Sequence, residues 1–144
     1  MTTAEAEFAL DMRMRTARRE AVRPLTGQEV AIAVRHARDE QQDVSLDLSA
    51  LTRVVVDPRQ RTARIQPGVS TADVVGAASV WSLAPPTDQR GLVAANLIAA
   101  QVVRPDGELV QADEALLREI RTGHAVGIVV DATYRLHPAG ELAR

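Results

Sequence analysis

Two stretches of this sequence fold back on themselves, and they decide what the chain can become. Val54-Val55-Val56 is β-branched, Asp57-Pro58-Arg59-Gln60 places proline at the second position of a turn, and Thr62-Ala63-Arg64-Ile65-Gln66 returns. Leu97 to Val103 runs into Pro105-Asp106-Gly107, a strong turn signal, and Glu108-Leu109-Val110-Gln111 returns. Helix signals lie around these hairpins. Thr26-Gly27-Gln28-Glu29 has capping-box spacing, and Val30, Ala33, Val34 and Ala37 follow at i, i+3, i+4, i+7. This predicts a helix over Gln28–Asp39. Ser70, with Asp73 after it, caps a second helix over Thr71–Val80, with Val74, Ala77, Ala78 and Trp81 on its apolar face. Val34 and Val75 are both expected to turn methyl groups to the core. Leu116, Leu117 and Ile120 mark a short third helix. Asp43 to Leu48 alternates with period two and predicts a strand. Leu83-Ala84-Pro85-Pro86 is extended. Gly127 to Val130 and Thr133 to Leu136 make the last strand, which Pro138 closes. Helices and hairpins are interspersed, so the class is α+β, with the hairpins forming a mixed sheet and the helices packed on it.

The chain has 144 residues, which suits one compact domain. It has no cysteine, which excludes disulfides, a thiol nucleophile, a cysteine-ligated zinc and a flavin tethered through sulfur. All 17 basic residues are arginine, so a lysine Schiff base and a P-loop lysine are excluded. With a net charge of -2, nucleic acid is not an expected partner. No apolar run approaches the ~20 residues of a membrane span, and the N-terminus has no apolar signal core. No membrane association and a cytoplasmic location are therefore expected. His36, His124 and His137 lack the His-x-x-x-His spacing of a metal site, and no Ser-His-Asp arrangement can be built. The residues name no catalytic group and no metal site.

Residues 1–22 read as a separate helical arm ahead of a domain spanning 23–144. Thr2 and Glu5 have capping-box spacing, and Phe8, Met12, Leu10 and Met14 supply a short apolar stripe. Arg13, Arg15, Arg18, Arg19 and Arg23 follow, opposed only by Glu20. Two readings stay open. The Arg13–Arg23 region binds an acidic partner, or it is a solvated helix end whose cations suit the helix dipole.

The order of the pieces resembles a known family. Arg23-Pro24 leads into the helix Glu29 to Arg38, then Leu46-Asp47-Leu48-Ser49 and Val54-Val55-Val56-Asp57-Pro58. Thr62 through Gln66-Pro67-Gly68-Val69 follows, then Gly91-Leu92 through Asn96-Leu97, then Val102-Val103 with Asp106-Gly107. The last piece is Gly127-Ile128-Val129 leading to Tyr134-Arg135-Leu136-His137-Pro138. This series resembles the PCMH-type FAD-binding domain of the FAD-linked oxidases, the vanillyl-alcohol oxidase superfamily, in its berberine bridge enzyme-like branch. The resemblance runs from about Ala21 to Gly140 and implies an FAD-dependent oxidoreductase fold.

The sequence departs from that pattern at the cofactor. The family's glycine-rich loop with its histidine is absent between Val44 and Ser45-Leu46. Pro85-Pro86-Thr87-Asp88-Gln89 joins directly to Arg90-Gly91 where the family has a second glycine-rich segment, and Ala95 stands where it has an aspartate. Flavin pyrophosphate is held largely by backbone N–H groups in glycine turns, where the missing Cβ lets the backbone approach. The chain has 8 glycines, none adjacent to another. The resemblance leaves Gly123, His124, Gly127, Ile128 and Val129 as the remaining cofactor segment, with Arg90 and Arg121 as phosphate partners. Any FAD held there would be non-covalent and weakly bound. The family's substrate domain has no counterpart before Arg144, so no turnover is expected from the isolated chain. A non-catalytic scaffold of flavoenzyme ancestry is the alternative. Apolar surface left by the shortened loops leads us to expect a homodimer, with the Phe8–Met14 helix as cover within one chain or across a two-fold axis.

Overall fold

The computed structural model describes residues 22–142. Residues 1–21, which make up all of the N-terminal arm and the Arg13–Arg23 region except Val22 and Arg23, lie outside the described residues.

Helix α1 (Gly27–Asp39) starts with the predicted reciprocal cap. The Thr26 hydroxyl accepts from the Glu29 N–H at 3.1 Å, and the Glu29 carboxylate accepts from the Thr26 N–H at 3.1 Å. Helix α2 (Thr71–Ser79) repeats the device with Ser70 and Asp73, at 3.1 and 3.2 Å. Helix α3 (Glu114–Arg121) is capped by Asp113, and a short α4 (Ala139–Leu142) follows the last strand.

The hairpin β1 (Val54–Asp57) and β2 (Thr62–Ile65) joins the hairpin β6 (Leu97–Val103) and β7 (Leu109–Gln111) through β8 (Ile128–Arg135). The result is a five-stranded sheet in the order β1-β2-β8-β6-β7. Every neighbouring pair in it is antiparallel. Among the described residues, parallel pairing is confined to one isolated bridge, Val22 with Leu46. Two small ribbons lie beside the sheet: β3 (Leu83–Ala84) with β9 (His137–Pro138), and β4 (Thr87–Asp88) with β5 (Gly91–Leu92).

A bulge in β8 sorts its side chains. The register steps from Gln101 opposite Asp131 to Val102 opposite Val129, so Val130 is the extra residue. Ile128 and Val130 therefore pack with Val30, Ala31, Leu51 and Val103 beneath α1. Val129, Ala132 and Tyr134 pack on the other side with Val102, Leu97 and the α3 residue Leu117. The second cluster continues through Ile65 to Ala63, Val74, Ala78 and Leu136 under α2. The sheet is thus covered on one face by α1 and on the other by α2 and α3.

Several expectations are corrected. Asp43–Leu48 is not a strand beyond the Val22–Leu46 bridge. Asp47 instead turns its carboxylate to the Ser49 N–H at 3.0 Å and caps a 3₁₀ turn over Leu48–Ala50, a local bond that competes with pairing. Val34 is half-buried against the α1 cluster, as expected. Val75 is not in the core: it is 41% exposed, while its neighbour Val74 is fully buried. Trp81 is 53% exposed because α2 ends at Ser79 and the Trp81 N–H closes a turn onto Ala78 O, carrying the indole off the helical face.

Candidate functional site

Of the seven proposed cofactor residues, Gly123, His124 and Gly127 lie on the segment joining α3 to β8, Ile128 and Val129 open β8, and Arg121 is the last residue of α3. Gly123 ends α3. Its N–H donates to Ile120 O at 3.0 Å, the His124 N–H donates to Glu119 O at 3.0 Å, and its φ is +83°. That pair of bonds is the Schellman cap, which needs a left-handed residue just past the helix. A Cβ on Gly123 would meet nothing within 4 Å, so the glycine serves its φ and not a close neighbour.

Gly127 is different. Its φ is +136°, and a Cβ there would lie 2.3 Å from Val103 O and 3.2 Å from the Arg104 Cα. The absent side chain makes room for the end of β6. Ile128 and Val129 then enter β8 opposite Val103 and Val102, one packed under α1 and the other under α3.

The side chains of Arg121 and His124 already have partners. Arg121 sends Nε to Leu97 O at 2.9 Å and Nη1 to Glu114 Oε1 at 2.9 Å. His124 Nδ1 lies 2.6 Å from Glu119 Oε2 and 3.0 Å from Thr122 Oγ1. Arg90 stands apart, exposed on the β4–β5 turn, with its backbone N–H on Asp88 Oδ1 at 2.8 Å. Among the described residues its guanidinium has no partner, and it belongs to a different ribbon from the α3–β8 segment. The N–H groups of Gly123 and His124 and the side chains of Arg121 and His124 are thus engaged within the chain.

Other polar features came from no local sequence pattern. His137 Nε2 lies 3.3 Å from Asn96 Oδ1, tying β9 to the 3₁₀ turn before β6. Arg64 meets Asp131 at 2.8 Å across β2 and β8, and this pairing holds the guanidinium above its ordinary pKa. Tyr134 lines a small apolar cavity of about 180 Å³ with Ile65, Pro67, Val69 and Val129, and burial raises its hydroxyl pKa. These pairs join residues 41 and 67 positions apart, so only the completed sheet brings them together. Among the described residues, no group of three or more His, Asp or Glu side chains could hold a metal, and no helix is long and apolar enough to cross a membrane.

No family model matches the sequence, and no curated protein matches it. Solved structures do match the fold. The chain is similar to 6-hydroxy-D-nicotine oxidase from Arthrobacter nicotinovorans, with TM-score 0.69 and 21% identity over 81% of this chain and 36% of that one. It is similar to berberine bridge enzyme from Eschscholzia californica, with TM-score 0.72 and 18% identity over 82% and 34%. A berberine bridge enzyme-like protein from Arabidopsis thaliana gives TM-score 0.73 and 18% identity over 81% and 34%. The chain spans about a third of the length of these structures. The α+β fold thus resembles the FAD-binding domain of the FAD-linked oxidases, as the motif order implied.

Proposed function

We propose that this chain keeps the fold of an FAD-linked oxidase domain while holding FAD only weakly and non-covalently, and that it turns over no substrate by itself. One observation carries the reading: the space that glycine leaves at position 127 is filled by the Val103 carbonyl of β6. A cradle for pyrophosphate needs that space and free N–H groups facing it. The neighbouring N–H groups of Gly123 and His124 close the α3 cap, and Arg121 and His124 are held by carboxylates. Turnover needs a base within hydrogen-bond reach of a bound reactant. The histidines do not enclose a reactant: the side chains of His36 and His124 are exposed, and His137 Nε2 is bonded to Asn96.

Excess FAD, removal of the free pool by gel filtration and a visible spectrum test this reading. A colourless protein is expected. A stoichiometric yellow protein overturns it. Gly127→Ala separates the two roles of that glycine. It should cost about 3 kcal/mol or more of folding stability, because a side chain at this φ is strained and the Cβ collides with backbone. A variant that melts like the parent but loses a flavin signal would make Gly127 a cofactor residue instead.

A further inference from the structure

β1 is the last strand on its side of the sheet. Gln66 N–H donates to Arg53 O at 3.1 Å, and Arg53 N–H donates to the Gln66 side chain at 2.9 Å. Hydrogen-bonded and non-hydrogen-bonded pairs alternate along an antiparallel ladder. With Arg53 opposite Gln66 as one hydrogen-bonded pair, Val55 opposite Arg64 is the next. The backbone groups of Val55 therefore point to β2. Those of Val54 and Val56 point outward, and among the described residues only β2 pairs with this strand. Val55 itself is 50% exposed.

The side chains along that edge are arranged as a cation, three valines and an anion: Arg53-Val54-Val55-Val56-Asp57. We propose that two copies of this chain associate through β1, antiparallel, with the two-fold axis at Val55. Val54 then faces Val56 of the second copy on both sides of the axis, and their outward N–H and C=O groups form two hydrogen-bonded pairs. Val55 meets its own counterpart in a non-hydrogen-bonded pair. Arg53 meets Asp57 of the second copy twice, also in non-hydrogen-bonded pairs, where side chains stand closest. Both ions are available. The Arg53 guanidinium has no partner among the described residues, and Asp57 uses Oδ1 for the Arg59 and Gln60 N–H groups, which leaves Oδ2. Parallel in-register pairing would instead set Arg53 against Arg53 and Asp57 against Asp57. The antiparallel contact is isologous and closed, and it joins two five-stranded sheets into one continuous sheet. It is also small, so half-dissociation is expected at chain concentrations on the order of 10–100 μM.

The full-length chain tests this directly, because it has no cysteine of its own. Val55→Cys places one thiol on the axis, where opposed Cα atoms are about 4.5 Å apart and within disulfide range. Mild oxidation should give a covalent dimer. Val75→Cys, exposed on α2, should stay monomeric under the same conditions. In sedimentation equilibrium, Arg53→Asp and Asp57→Arg should each weaken association at least ~10-fold by setting like charges together. An equimolar mixture of the two should associate again, since each mixed pair is complementary at both ends. Asp57→Asn keeps the turn acceptor and serves if Asp57→Arg does not fold; it should weaken association less than Arg53→Asp. A monomer up to about 1 mM, a dimer indifferent to Arg53→Asp, or cross-linking through Val75→Cys but not Val55→Cys overturns the proposal.

Discussion

Helices α1 and α2 start alike and show different surfaces to solvent. Each opens with a hydroxyl and a carboxylate capping one another's backbone N–H groups. α1 then carries Glu29, His36, Arg38 and Asp39 on its exposed side, while Arg35 reaches Gly107 O in the β6–β7 turn, and Ile32 is its one strongly exposed aliphatic residue. α2 has a single charged residue, Asp73, and that carboxylate is engaged in the cap. Its outer side is Ala72, Val75, Gly76 and Ser79, and Val80 and Trp81 continue it. Polar residues on one side of α1 tell which side is the core. In α2 apolar residues surround the axis, so helix formation is encoded locally but its rotation is fixed only by the partners it meets. Val74 and Ala78 meet Ala63, Leu83 and Leu136.

The largest effect that would break this contrast is at Val74 and Val75. Val74→Ala should cost about 2 kcal/mol, because it opens a void among fully buried neighbours. Val75→Ala should stay within about 0.5 kcal/mol, as expected for a surface position. Urea melts decide it. Equal losses would mean that α2 is rotated or that its outer side is covered.

A smaller effect distinguishes the glycines of the two helices. Gly76 lies inside α2 with open space where its Cβ would be. Gly76→Ala should therefore stabilise by about 0.5–1 kcal/mol, through the entropy removed from the unfolded chain. Gly27 opens α1, and a Cβ there would sit 3.0 Å from Val130 Cγ2 in the core beneath. Gly27→Ala should bring no such gain. A stabilised Gly27→Ala variant would show that α1 can lift off the sheet at little cost.

The same division between local and tertiary information explains what was legible beforehand. Both hairpins and the starts of α1 and α2 were readable, because turn and cap chemistry lies within a few residues, whereas α3 was marked by its apolar residues and not by its Asp113 cap. The Asp43–Leu48 alternation was real, but Asp47 bonds to Ser49 and ends the extension. At the candidate site, the role of Gly123 was open to the sequence, since glycine after a helix with basic residues in its last turn is a helix-stop signal. The role of Gly127 was not. Its need for a missing Cβ comes from Val103 O on a strand more than twenty residues away, and a cofactor turn would leave the same mark in the sequence.

The smallest effect concerns the tether in front of α1, which has no equivalent at α2. Val22 bonds to Ser45 O and Asp47 N, and Arg23 Nε and Nη2 reach Asp47 Oδ2 at 3.0 and 2.9 Å. Hydrogen bonds from Ser49, then Arg23, lower the Asp47 pKa from 3.8 to about 2. A carboxyl group with a lowered folded-state pKa favours the folded state above its unfolded pKa and loses that contribution as protons bind. The contribution of Asp47 is therefore complete above about pH 4 and fades toward pH 2. Asp47→Asn cannot titrate and cannot pair as an ion with Arg23. It should be less stable than the parent at pH 7, and the gap should close as the pH falls to 2. The gap should be small throughout, because the pair is solvent-exposed and screened. Amide protection from hydrogen exchange, relative to the unfolded chain at the same pH, should fall in acid at Ser49 and at the Val22–Asp47 bonds before it does in α2. A gap between the two proteins that stays constant from pH 7 to 2 would mean the carboxylate charge contributes nothing and the tether rests on the backbone bridge alone.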